Sequence, residues 1–322
     1  MTEEYDVLVA GDYCLDLIFT GLPSLPVLGK EIVASNFEML PGATYNSVVA
    51  MHRLGLRVAW ASDFGTDEFS RFVLERSRAE GLSDPYFVMH NRSLRNITVA
   101  ASYPADRAFM AFYDPPPKVP AAAKVLTSVH TKMVYLPGMV SGPLFDAAAV
   151  ILTARKLRVV MDGNAWERET ETLKNPAVKR AIQRVDVFIP NAREARWITG
   201  EKDLMTALRA LTDLCRLVVV KDGANGAYAV ENGEIIHIPA LQLTPVDTTG
   251  AGDSFNAGFI KAWLAGKSLR DCMRWGVVAG GLSTLGMGGT GNRVTEEMIL
   301  EWLPKLDETG FSNRCSGEKR SS

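Results

Sequence analysis

Cysteine and histidine are scarce in this sequence of 322 residues, which contains four of each. The cysteines lie far apart and form no Cys-x-x-Cys pair; they are Cys14, Cys215, Cys272 and Cys315. This spacing argues against a disulfide framework or a zinc site and predicts reduced thiols, as in a cytoplasmic protein. The histidines are equally scattered, and we expect no metal-binding cluster from them.

The sequence also lacks an excess of charge and a long hydrophobic run. Its 35 basic and 37 acidic residues give a net charge of −2, which argues against a nucleic-acid partner. No apolar run approaches the roughly 18 residues that cross a bilayer, and the acidic start is unlike a secretory signal, so no membrane partner is expected. With 47% hydrophobic and 22% charged residues, the composition is that of a globular protein, and we expect it in the cytoplasm.

Short β-rich runs alternate with helical patterns along most of the chain. Strands are predicted at 5–11, 57–62, 133–136, 158–161, 185–189 and 217–220, and helices at 47–54, 67–80, 144–157 and 177–184, among others. Strands that alternate with helices predict an α/β fold whose parallel sheet is covered by helices on both faces. At about 100–200 residues per domain, the length allows either one large domain or two small ones.

Two stretches depart from this alternation. Segments 96–101 and 107–113 alternate in period two and predict an antiparallel hairpin. Because a single hairpin is marginally stable, it must pack on something, and residues from 16 to 37 could complete a small separate sheet. A second hairpin is predicted over 227–238, where an Asn-Gly pair predicts a type I′ turn.

The most informative segment is 247–255, Asp-Thr-Thr-Gly-Ala-Gly-Asp-Ser-Phe, which precedes an apolar-periodic helix. Its small residues Gly250, Ala251 and Gly252 let backbone N–H groups approach a ligand, and at a helix N-terminus such donors favour an anion such as phosphate. A carboxylate at Asp253 would repel that phosphate unless it serves as a base that takes a proton from an attacking hydroxyl. The alternative is a glycine turn in which Asp253 simply caps the helix.

The same segment resembles the second signature of the ribokinase family, the PfkB carbohydrate and nucleoside kinases. Further segments resemble the family's motifs in the family's order, at 11–16, 41–46, 65–69, 190–194 and 221–226. The resemblance implies an α/β fold, a ribokinase-like three-layer sandwich with a central mostly parallel sheet and a small β-sheet lid. The expected kinase domain is 1–306, its lid comes from about 13–40 and 94–115, and the polar stretch 307–322 is expected to be a disordered tail.

The resemblance implies ATP-dependent phosphorylation of a hydroxyl on a sugar or nucleoside. Asp253 matches the catalytic base, and the backbone of Gly250, Ala251 and Gly252 matches the anion hole for the transferring phosphoryl group. The expected substrate contacts are Asp16, Gly42, Asn46 and, on the lid, Arg107. The expected ATP contacts are Asn191, Lys221, Gly223, Gly226 and Thr249.

The resemblance implies Mg²⁺ and, optionally, a monovalent cation. Asn191 and Glu194 match the motif that supports Mg²⁺, mostly through water, and their i, i+3 spacing suits an ion that keeps its water and borrows one or two carboxylates. Without the resemblance, Asn191 would be interpreted as a helix cap. Asp247 matches a position that in many relatives helps to bind a monovalent cation, so K⁺ is an optional further cofactor.

Departures from the family pattern leave the substrate open. Pro41 stands where the family has the first glycine of a Gly-Gly pair, and Ala43 where many ribokinases have lysine. Tyr45, beside Asn46, could stack on a base or sugar ring or fill the core. A catalytically weak sensor that binds a sugar or nucleoside on the same fold is an alternative to a kinase, although such a protein would be expected to have lost Asp253.

Two further features carry alternatives. Gly286–Gly291 satisfies Gly-x-Gly-x-x-Gly, but a helical pattern precedes it, so a loop near the nucleotide or cation site is expected rather than a dinucleotide site. The lid hairpin carries Phe109, Phe112 and Tyr113. One face of it could close over the substrate, and the other could pair with a second lid in a homodimer or pack on the chain's own body.

Overall fold

The computed structural model describes residues 4–82, 85–103, 107–164 and 169–315, with side chains described for all of these except 107, 169 and 307–315. Its largest element is a nine-stranded sheet. Neighbouring strands are parallel throughout the sheet except at one edge, where the last two pairings are antiparallel. From that edge the strands are β13 (Glu234–Ile238), β12 (Ala227–Glu231), β11 (Leu217–Lys221), β10 (Val187–Ile189), β9 (Arg158–Asp162), β8 (His130–Leu136), β1 (Glu4–Ala10), β4 (Val58–Phe64) and β5 (Phe87–Met89). The edge hairpin turns with positive φ at Asn232 (54°) and Gly233 (82°), as the predicted type I′ turn requires.

Alternate residues of the central strands face opposite sides of this sheet, and both sides are buried. On β1, Val7 and Val9 belong to one hydrophobic cluster and Leu8 to the other. The helices on the first side are α1 (Thr44–Arg53), α2 (Glu68–Ala79), α8 (Ala251–Leu264), α9 (Leu269–Ser283) and α10 (Glu296–Cys315). Those on the second are α3 (Ala121–Val125), α4 (Pro143–Ala154), α5 (Pro176–Gln183), α6 (Ala192–Thr199) and α7 (Leu204–Thr212). The predicted three-layer α/β sandwich is therefore confirmed.

A separate four-stranded sheet forms the lid, as predicted. Its strands, in spatial order, are β3 (Asn36–Ala43), β2 (Tyr13–Thr20), β6 (Asn96–Ser102) and β7 (Arg107–Tyr113). Asp16 lies opposite Leu40 and Thr98 in this register. The contact of 3.1 Å between Cys14 Sγ and Thr98 Oγ1 places Cys14 on the same face, which we call the Asp16 face.

The other side of the lid, which we call the outer face, is apolar. Near the base of the lid, Leu17 and Met39 pack against the core on the first side of the large sheet. On the two edge strands of the lid, β3 and β7, Phe37, Met110 and Phe112 are 50%, 67% and 50% exposed. The half-buried Leu17, Phe19 and Val99 lie between them, so this face is apolar from one edge to the other, which is typical of an interaction surface.

A buried polar network attaches the base of the lid to α2. Tyr13 OH donates to Leu94 O at 2.7 Å and lies 2.7 Å from Ser70 Oγ. Asp67 accepts hydrogen bonds from Ser70 N and Leu94 N, each at 2.9 Å. Although burial acts to raise it, these donors bring the pKa of Asp67 below its ordinary value, so the carboxylate stays ionised and the network intact near neutral pH.

The observed elements differ from the predicted ones mainly at their ends. α1 begins at Thr44, ahead of the predicted start at 47, because the chain turns at Ala43 before the first periodic apolar residue. α10 continues to Cys315, so a helix occupies 307–315, where the sequence predicts a disordered tail; residues 316–322 lie outside the described part of the chain. Among the described residues, no helix combines the length and the apolar character needed to cross a membrane.

Candidate active site

α8 begins in the middle of segment 247–255. Its N-cap is Gly250, in the left-handed conformation (φ 71°), and no described side chain caps this helix end. Asp253 therefore lies inside the first turn and does not cap the helix. The first hydrogen bond across Gly250 runs from Ser254 N to Gly250 O at 2.9 Å. The amide of Gly252 therefore precedes the helical ladder, at the positive end of α8, where an anion is favoured.

The carboxylate of Asp253 has an environment suited to proton transfer. Ser47 Oγ donates a hydrogen bond to its Oδ1. Burial raises the pKa of Asp253 to about 6; the charges of Asp162 and Asp16 act in the same direction, while Ser47 and the ammonium of Lys221 oppose them. Since a general base works best with a pKa near the operating pH, this carboxylate can accept a proton and release it again.

Lys221 lies at the junction of two clefts beside α8. Its Nζ is 2.9 Å from Asp162 Oδ1 and 3.3 Å from Asn256 Oδ1. It is also 3.4 Å from the place that a Cβ on Gly252 would occupy, so the ammonium adjoins the first turn of the helix. Lys221 and Asp162 end β11 and β9, and the carboxyl ends of parallel strands are where such sheets bind ligands.

The first cleft has the size and lining of a nucleotide site. Its volume is about 360 Å³, within the range of small-molecule pockets. It is lined by Lys221, Gly223, Gly226, Leu241, Leu243, Thr248, Gly252, Phe255 and Val277, among others. The predicted ATP contacts Lys221, Gly223 and Gly226 are thus together, and their apolar neighbours can cover a base.

The second cleft is lined by acidic and amide side chains. Its volume is about 310 Å³, and its lining includes Asp162, Asn191, Glu194, Lys221 and Asp253. Asn191 and Glu194 form a capping box at the start of α6: Glu194 N donates to Asn191 Oδ1 at 2.9 Å, and Asn191 N donates to Glu194 Oε2 at 2.8 Å. Helix capping and a place in the cleft are therefore compatible for both residues.

The chemistry of this second cleft fits Mg²⁺ held mainly through water. Carboxylate and amide oxygens are ligands that Mg²⁺ accepts, and it gives up its water reluctantly. The described residues contain no group of three or more histidine, cysteine or acidic side chains placed to hold a metal directly. Lys221, between this cleft and the nucleotide cleft, supplies the positive charge that phosphate groups would need beside these acids.

Asp16, Gly42 and Asn46 come together where the lid joins α1. Asp16 Oδ2 lies 2.1 Å from the place that a Cβ on Gly42 would occupy, so any larger residue at position 42 would displace this carboxylate. Burial raises the pKa of Asp16 to about 6. Asn46 is 4% exposed, and its Oδ1 accepts no hydrogen bond within the described residues. A buried amide oxygen without a donor costs free energy, which a ligand hydroxyl at this position would offset.

The Gly286–Gly291 loop connects this region to α8. It follows α9 rather than a strand, as the sequence predicts, and is not arranged as a dinucleotide site. A Cβ on Gly289 would lie 2.4 Å from the Asn46 amide, and a Cβ on Gly250 would lie 2.5 Å from Gly289 Cα. The loop therefore touches both the amide expected to bind substrate and the N-cap of α8.

Asp247 ties the same loop to the segment before α8. Gly288 N donates to its Oδ2 at 2.9 Å, and its Oδ1 accepts from Thr249 N at 2.9 Å and Thr249 Oγ1 at 2.8 Å. The Thr249 hydroxyl is thus directed at Asp247, while Thr248 lines the nucleotide cleft. That Asp247 contacts a monovalent cation and Thr249 contacts ATP stay predictions.

Three other positions named from the sequence have different outcomes. Tyr45 is 3% exposed and packs edge-on to Trp60 with 6.2 Å between ring centroids, so it fills the core. Ala43 lines the second cleft with φ 51° and ψ −128°, a conformation natural to glycine that is found at functional sites when another residue adopts it. The backbone of Arg107 pairs with Ser102, but its side chain lies outside the described residues, and its contact with substrate stays a prediction.

Three polar residues of the site were not predicted from the sequence: Ser47, Tyr135 and Asn256. Asn256 Nδ2 donates to Tyr135 OH at 2.9 Å and to Asp162 Oδ2 at 2.6 Å. All three side chains are buried. For Ser47 and Asn256, the available signal was a polar residue in an otherwise apolar stretch of α1 or α8, close to a motif residue, because such a side chain needs a buried partner.

Comparison with known proteins agrees with this geometry. The model of the pfkB family of carbohydrate kinases matches residues 7–296. The chain belongs to this family. Among its relatives, the ribokinase of Bacillus subtilis is 25% identical over 305 residues, which is 92% of this chain and 99% of that protein. The cytidine kinase of Thermococcus kodakarensis is 36% identical over 124 residues, 37% of this chain and 44% of that protein.

Solved structures show the same fold for this pfkB kinase. The ribokinase of Arabidopsis thaliana, complexed with ribose and ATP, matches with a TM-score of 0.78 at 20% identity, covering 94% of this chain and 99% of that one. The predicted family and the ribokinase-like fold are confirmed. The relatives of this chain are kinases of sugars and nucleosides, so its general activity is that of a carbohydrate or nucleoside kinase.

Proposed function

We propose that this pfkB kinase transfers the γ-phosphoryl group of ATP to a hydroxyl of a sugar or nucleoside, with Asp253 as the general base. The observation that carries the proposal is the position of Asp253. Its carboxylate lies in the first turn of α8, beside the 250–252 amides on one side and close enough to Asp16 on the other for the two charges to interact. A base placed between an anion site and an acceptor site suits phosphoryl transfer.

In the proposed mechanism, each of a few groups has one role in the displacement reaction at the γ-phosphorus. Asp16 and Asn46 hold hydroxyls of the acceptor, because a carboxylate accepts hydrogen bonds and an amide both donates and accepts them. Asp253 takes the proton of the attacking hydroxyl as its oxygen forms the new bond to the γ-phosphorus. The bond between that phosphorus and the bridging oxygen of ADP breaks at the same time. The 250–252 amides and Lys221 stabilise the negative charge on the transferring group.

Bound Mg²⁺ would supply charge neutralisation on the phosphates. Asn191 and Glu194 would hold it through water at the start of α6, while Gly223 and Gly226 line the cleft for the nucleotide. We place the activity in the cytoplasm, since the reaction consumes ATP and the described cysteines Cys14, Cys215 and Cys272 are buried free thiols.

We also propose that the outer face of the lid forms a homodimer contact. On this face, exposed Phe37 lies at the β3 edge and exposed Met110 and Phe112 at the β7 edge, with Leu17, Phe19 and Val99 between them. Burying such side chains in a second copy would gain about 25 cal/mol per Å² of apolar surface. Sedimentation of the wild type and Met110→Lys checks this. We expect a dimer and a monomer respectively, and a monomeric wild type at all concentrations would rule the contact out.

The main test is release of ADP over a panel of sugars and nucleosides with Mg²⁺, each with and without K⁺. Turnover with at least one acceptor is expected from the wild type. Asp253→Asn should lower kcat by about 10²–10⁴-fold, because it removes the general base. Asp213→Asn, at an exposed position ending α7, is the matched control and should behave as the wild type.

The result also separates the kinase from the sensor alternative. An acceptor that binds the wild type, as seen by calorimetry, without being phosphorylated would favour the sensor. Normal turnover in Asp253→Asn would show that another group takes the proton.

A further inference from the structure

The ammonium of Lys221 is held by two side chains that come from other elements of the fold, Asp162 and Asn256. We propose that these two are positioning residues, which fix the ammonium at the junction of the two clefts and leave one of its hydrogens for a phosphate oxygen of ATP. We call this arrangement the lysine tether. The inference rests on the proposed function, in which Lys221 stabilises the transferring phosphoryl group. It assigns a role to Asn256, which is not among the residues that line either cleft.

The side chain of Lys221 reaches across the end of a strand to meet Asp162. The two residues end β11 and β9, which are not neighbours, because β10 lies between them. Two strand spacings place their backbones about 9–10 Å apart. Lys221 Nζ nevertheless lies 2.9 Å from Asp162 Oδ1. A side chain as long as lysine is needed to cover this distance, so the contact depends on the residue type at position 221.

The carboxylate of Asp162 is fixed by three donors. Its Oδ1 accepts from Lys221 Nζ and, at 2.7 Å, from Gly163 N. Its Oδ2 accepts from Asn256 Nδ2 at 2.6 Å. Because both oxygens have donors on different elements, the carboxylate has one favoured orientation, and it directs the ammonium in turn.

The amide of Asn256 joins the same two groups from α8. Its Oδ1 lies 3.3 Å from Lys221 Nζ, and its Nδ2 donates to Asp162 and, at 2.9 Å, to Tyr135 OH. An ammonium only donates and a carboxylate only accepts, so these partners allow one orientation of the amide. Asn256 and Tyr135 are each 0% exposed, so water cannot replace a lost partner, and the arrangement is costly to break.

The ammonium keeps one hydrogen for a ligand. It has three hydrogens, and Asp162 and Asn256 accept two of them. Lys221 lines both clefts, and its Nζ lies 3.4 Å from the place that a Cβ on Gly252 would occupy. The third hydrogen is therefore left where the clefts meet, beside the first turn of α8. A hydrogen bond between an ammonium and a phosphate oxygen is charge-assisted, which makes it one of the stronger kinds.

The charge of Asp162 separates a positioning role from a purely electrostatic one. Asp162 cancels part of the positive charge that a phosphate would meet, so if charge alone mattered, Asp162→Asn should strengthen the binding of ATP. The lysine tether predicts the opposite. The new amide nitrogen would face either the donors at Oδ1 or the nitrogen of Asn256, and turning Asn256 over would set that nitrogen against the ammonium. Each arrangement opposes donor to donor, so the ammonium would lose its fixed position.

Calorimetric titration with ATP and with AMP, without Mg²⁺ or acceptor, tests the tether. The two nucleotides share the base, the ribose and the first phosphate, so the ratio of their Kd values measures the contribution of the outer phosphates. Asp162→Asn and Asn256→Leu should each lower the preference for ATP about tenfold, equivalent to about 1.4 kcal/mol, and leave the affinity for AMP unchanged. Omitting Mg²⁺ excludes an effect through a metal ion in the second cleft.

Two results would overturn the proposal. One is tighter binding of ATP by Asp162→Asn, which would mean that charge and not position matters. The other is an equal loss of affinity for ATP and AMP in Asn256→Leu, which would mean that the variant only distorts the nucleotide cleft.

A double variant shows whether Asn256 acts through Lys221. Lys221→Met should itself lower the preference for ATP, and adding Asn256→Leu should lower it no further, because the group that Asn256 positions is gone. Independent losses from the two substitutions would contradict the tether. Glu296→Gln is the matched control, since it removes the carboxylate 2.8 Å from another partly buried lysine, Lys261 of α8. It should leave the preference as in the wild type.

These measurements need no turnover, so they separate the inference from the proposed function. The expected losses in a protein that phosphorylates no acceptor would support the lysine tether and overturn the kinase proposal. A wild type that phosphorylates an acceptor but binds ATP and AMP equally well would overturn the tether alone.

Discussion

The two sheets of this kinase are held in different ways. Central strands of the nine-stranded sheet are buried on both faces, and Val7, Leu8 and Phe188 are completely inaccessible. The lid is attached at its base, and its outer half exposes Phe109 (63%) and Met110 (67%). Because buried apolar surface is the main stabilising term, most of the stability resides in the large sheet. The proposed phosphate contacts are built on that sheet and its helices, whereas Asp16, a proposed acceptor contact, lies on the lid.

The largest expected difference between the two sheets is in stability. Phe188→Ala on β10 should lower the free energy of unfolding by about 3–5 kcal/mol, because it leaves a cavity in a fully buried layer. Met110→Ala on the lid should change it by less than about 0.5 kcal/mol. Urea unfolding followed by circular dichroism measures both. Equal losses would mean that the lid is part of the same buried core.

The next effect separates the phosphate side from the lid in catalysis. Lys221→Met should lower kcat/KM by about 10²-fold, because it removes a positive charge placed beside the transferring phosphoryl group. Lys202→Met, which changes an exposed lysine, is the control and should have no effect. Initial rates at varied ATP and acceptor give both values. A Lys221→Met enzyme with wild-type kcat/KM would remove this residue from the proposed mechanism.

The pH dependence involves both regions, since each contains one carboxyl group with a raised pKa. Burial raises the pKa of Asp16 on the lid and of Asp253 on α8 to about 6. Both must be ionised to act, so kcat/KM should fall up to about tenfold per group for each pH unit below 6. Asp16→Asn should reduce the steepness of that limb from two protons toward one. A limb of unchanged steepness would show that Asp16 does not titrate in the active range.

The raised pKa values of Asp16 and Asp253 also determine how the free energy of unfolding changes with pH. A folded-state pKa of about 6, above the ordinary value of 3.8, means that the folded protein binds more protons between these two values. The free energy of unfolding contributed by these carboxyls therefore falls as the pH rises from about 4 to about 6 and is constant above that. Asp253→Asn should flatten this decline in urea titrations at several pH values.

The smallest expected effect compares the two faces of the lid. Phe109 shares the Asp16 face, and Phe112 lies on the outer face. Phe109→Ala should raise the KM for the acceptor severalfold, about 1 kcal/mol of lost apolar contact, and leave the KM for ATP unchanged. Phe112→Ala, assayed at a concentration where the oligomeric state is known, should change neither. Equal changes in the two variants would mean that the faces are not distinct in binding.

Much of the fold could be predicted because it depends on local signals. Periodicity and turn chemistry indicated the alternating layers, the lid hairpin, the Asn-Gly turn and the start of α8 near Gly250. The end of α10 was missed, since the polar stretch 307–315 has no apolar stripe to indicate a helix. Local pattern also left two places open for Tyr45, because a buried aromatic in the core and one in a pocket look alike in sequence.

The site was predicted where a motif carried it and missed where distant segments meet. Ser47 and Asp253 are 206 residues apart, and nothing local in either segment indicates the other. A helix cap at Asn191 was foreseen as an alternative to metal binding, and the capping box that it forms with Glu194 is compatible with both. Ser47, Tyr135 and Asn256 could be placed only by the packing of α1 and α8 against the sheet.

The first strand of the chain, β1, lies in the middle of the large sheet, so residues synthesised early must wait for partners that are synthesised late. β1 lies between β4 and β8, and the contacts Ser47–Asp253 and Arg53–Thr290 span 206 and 237 residues. At about 5–20 residues per second, a ribosome needs roughly 10–40 s to add the residues that separate Ser47 from Asp253. During that time the nascent chain contains the proposed acceptor contacts Asp16 and Asn46 without the proposed base, and it exposes apolar surface that later helices cover. The proposed base is therefore added only after every described strand of the large sheet has been synthesised.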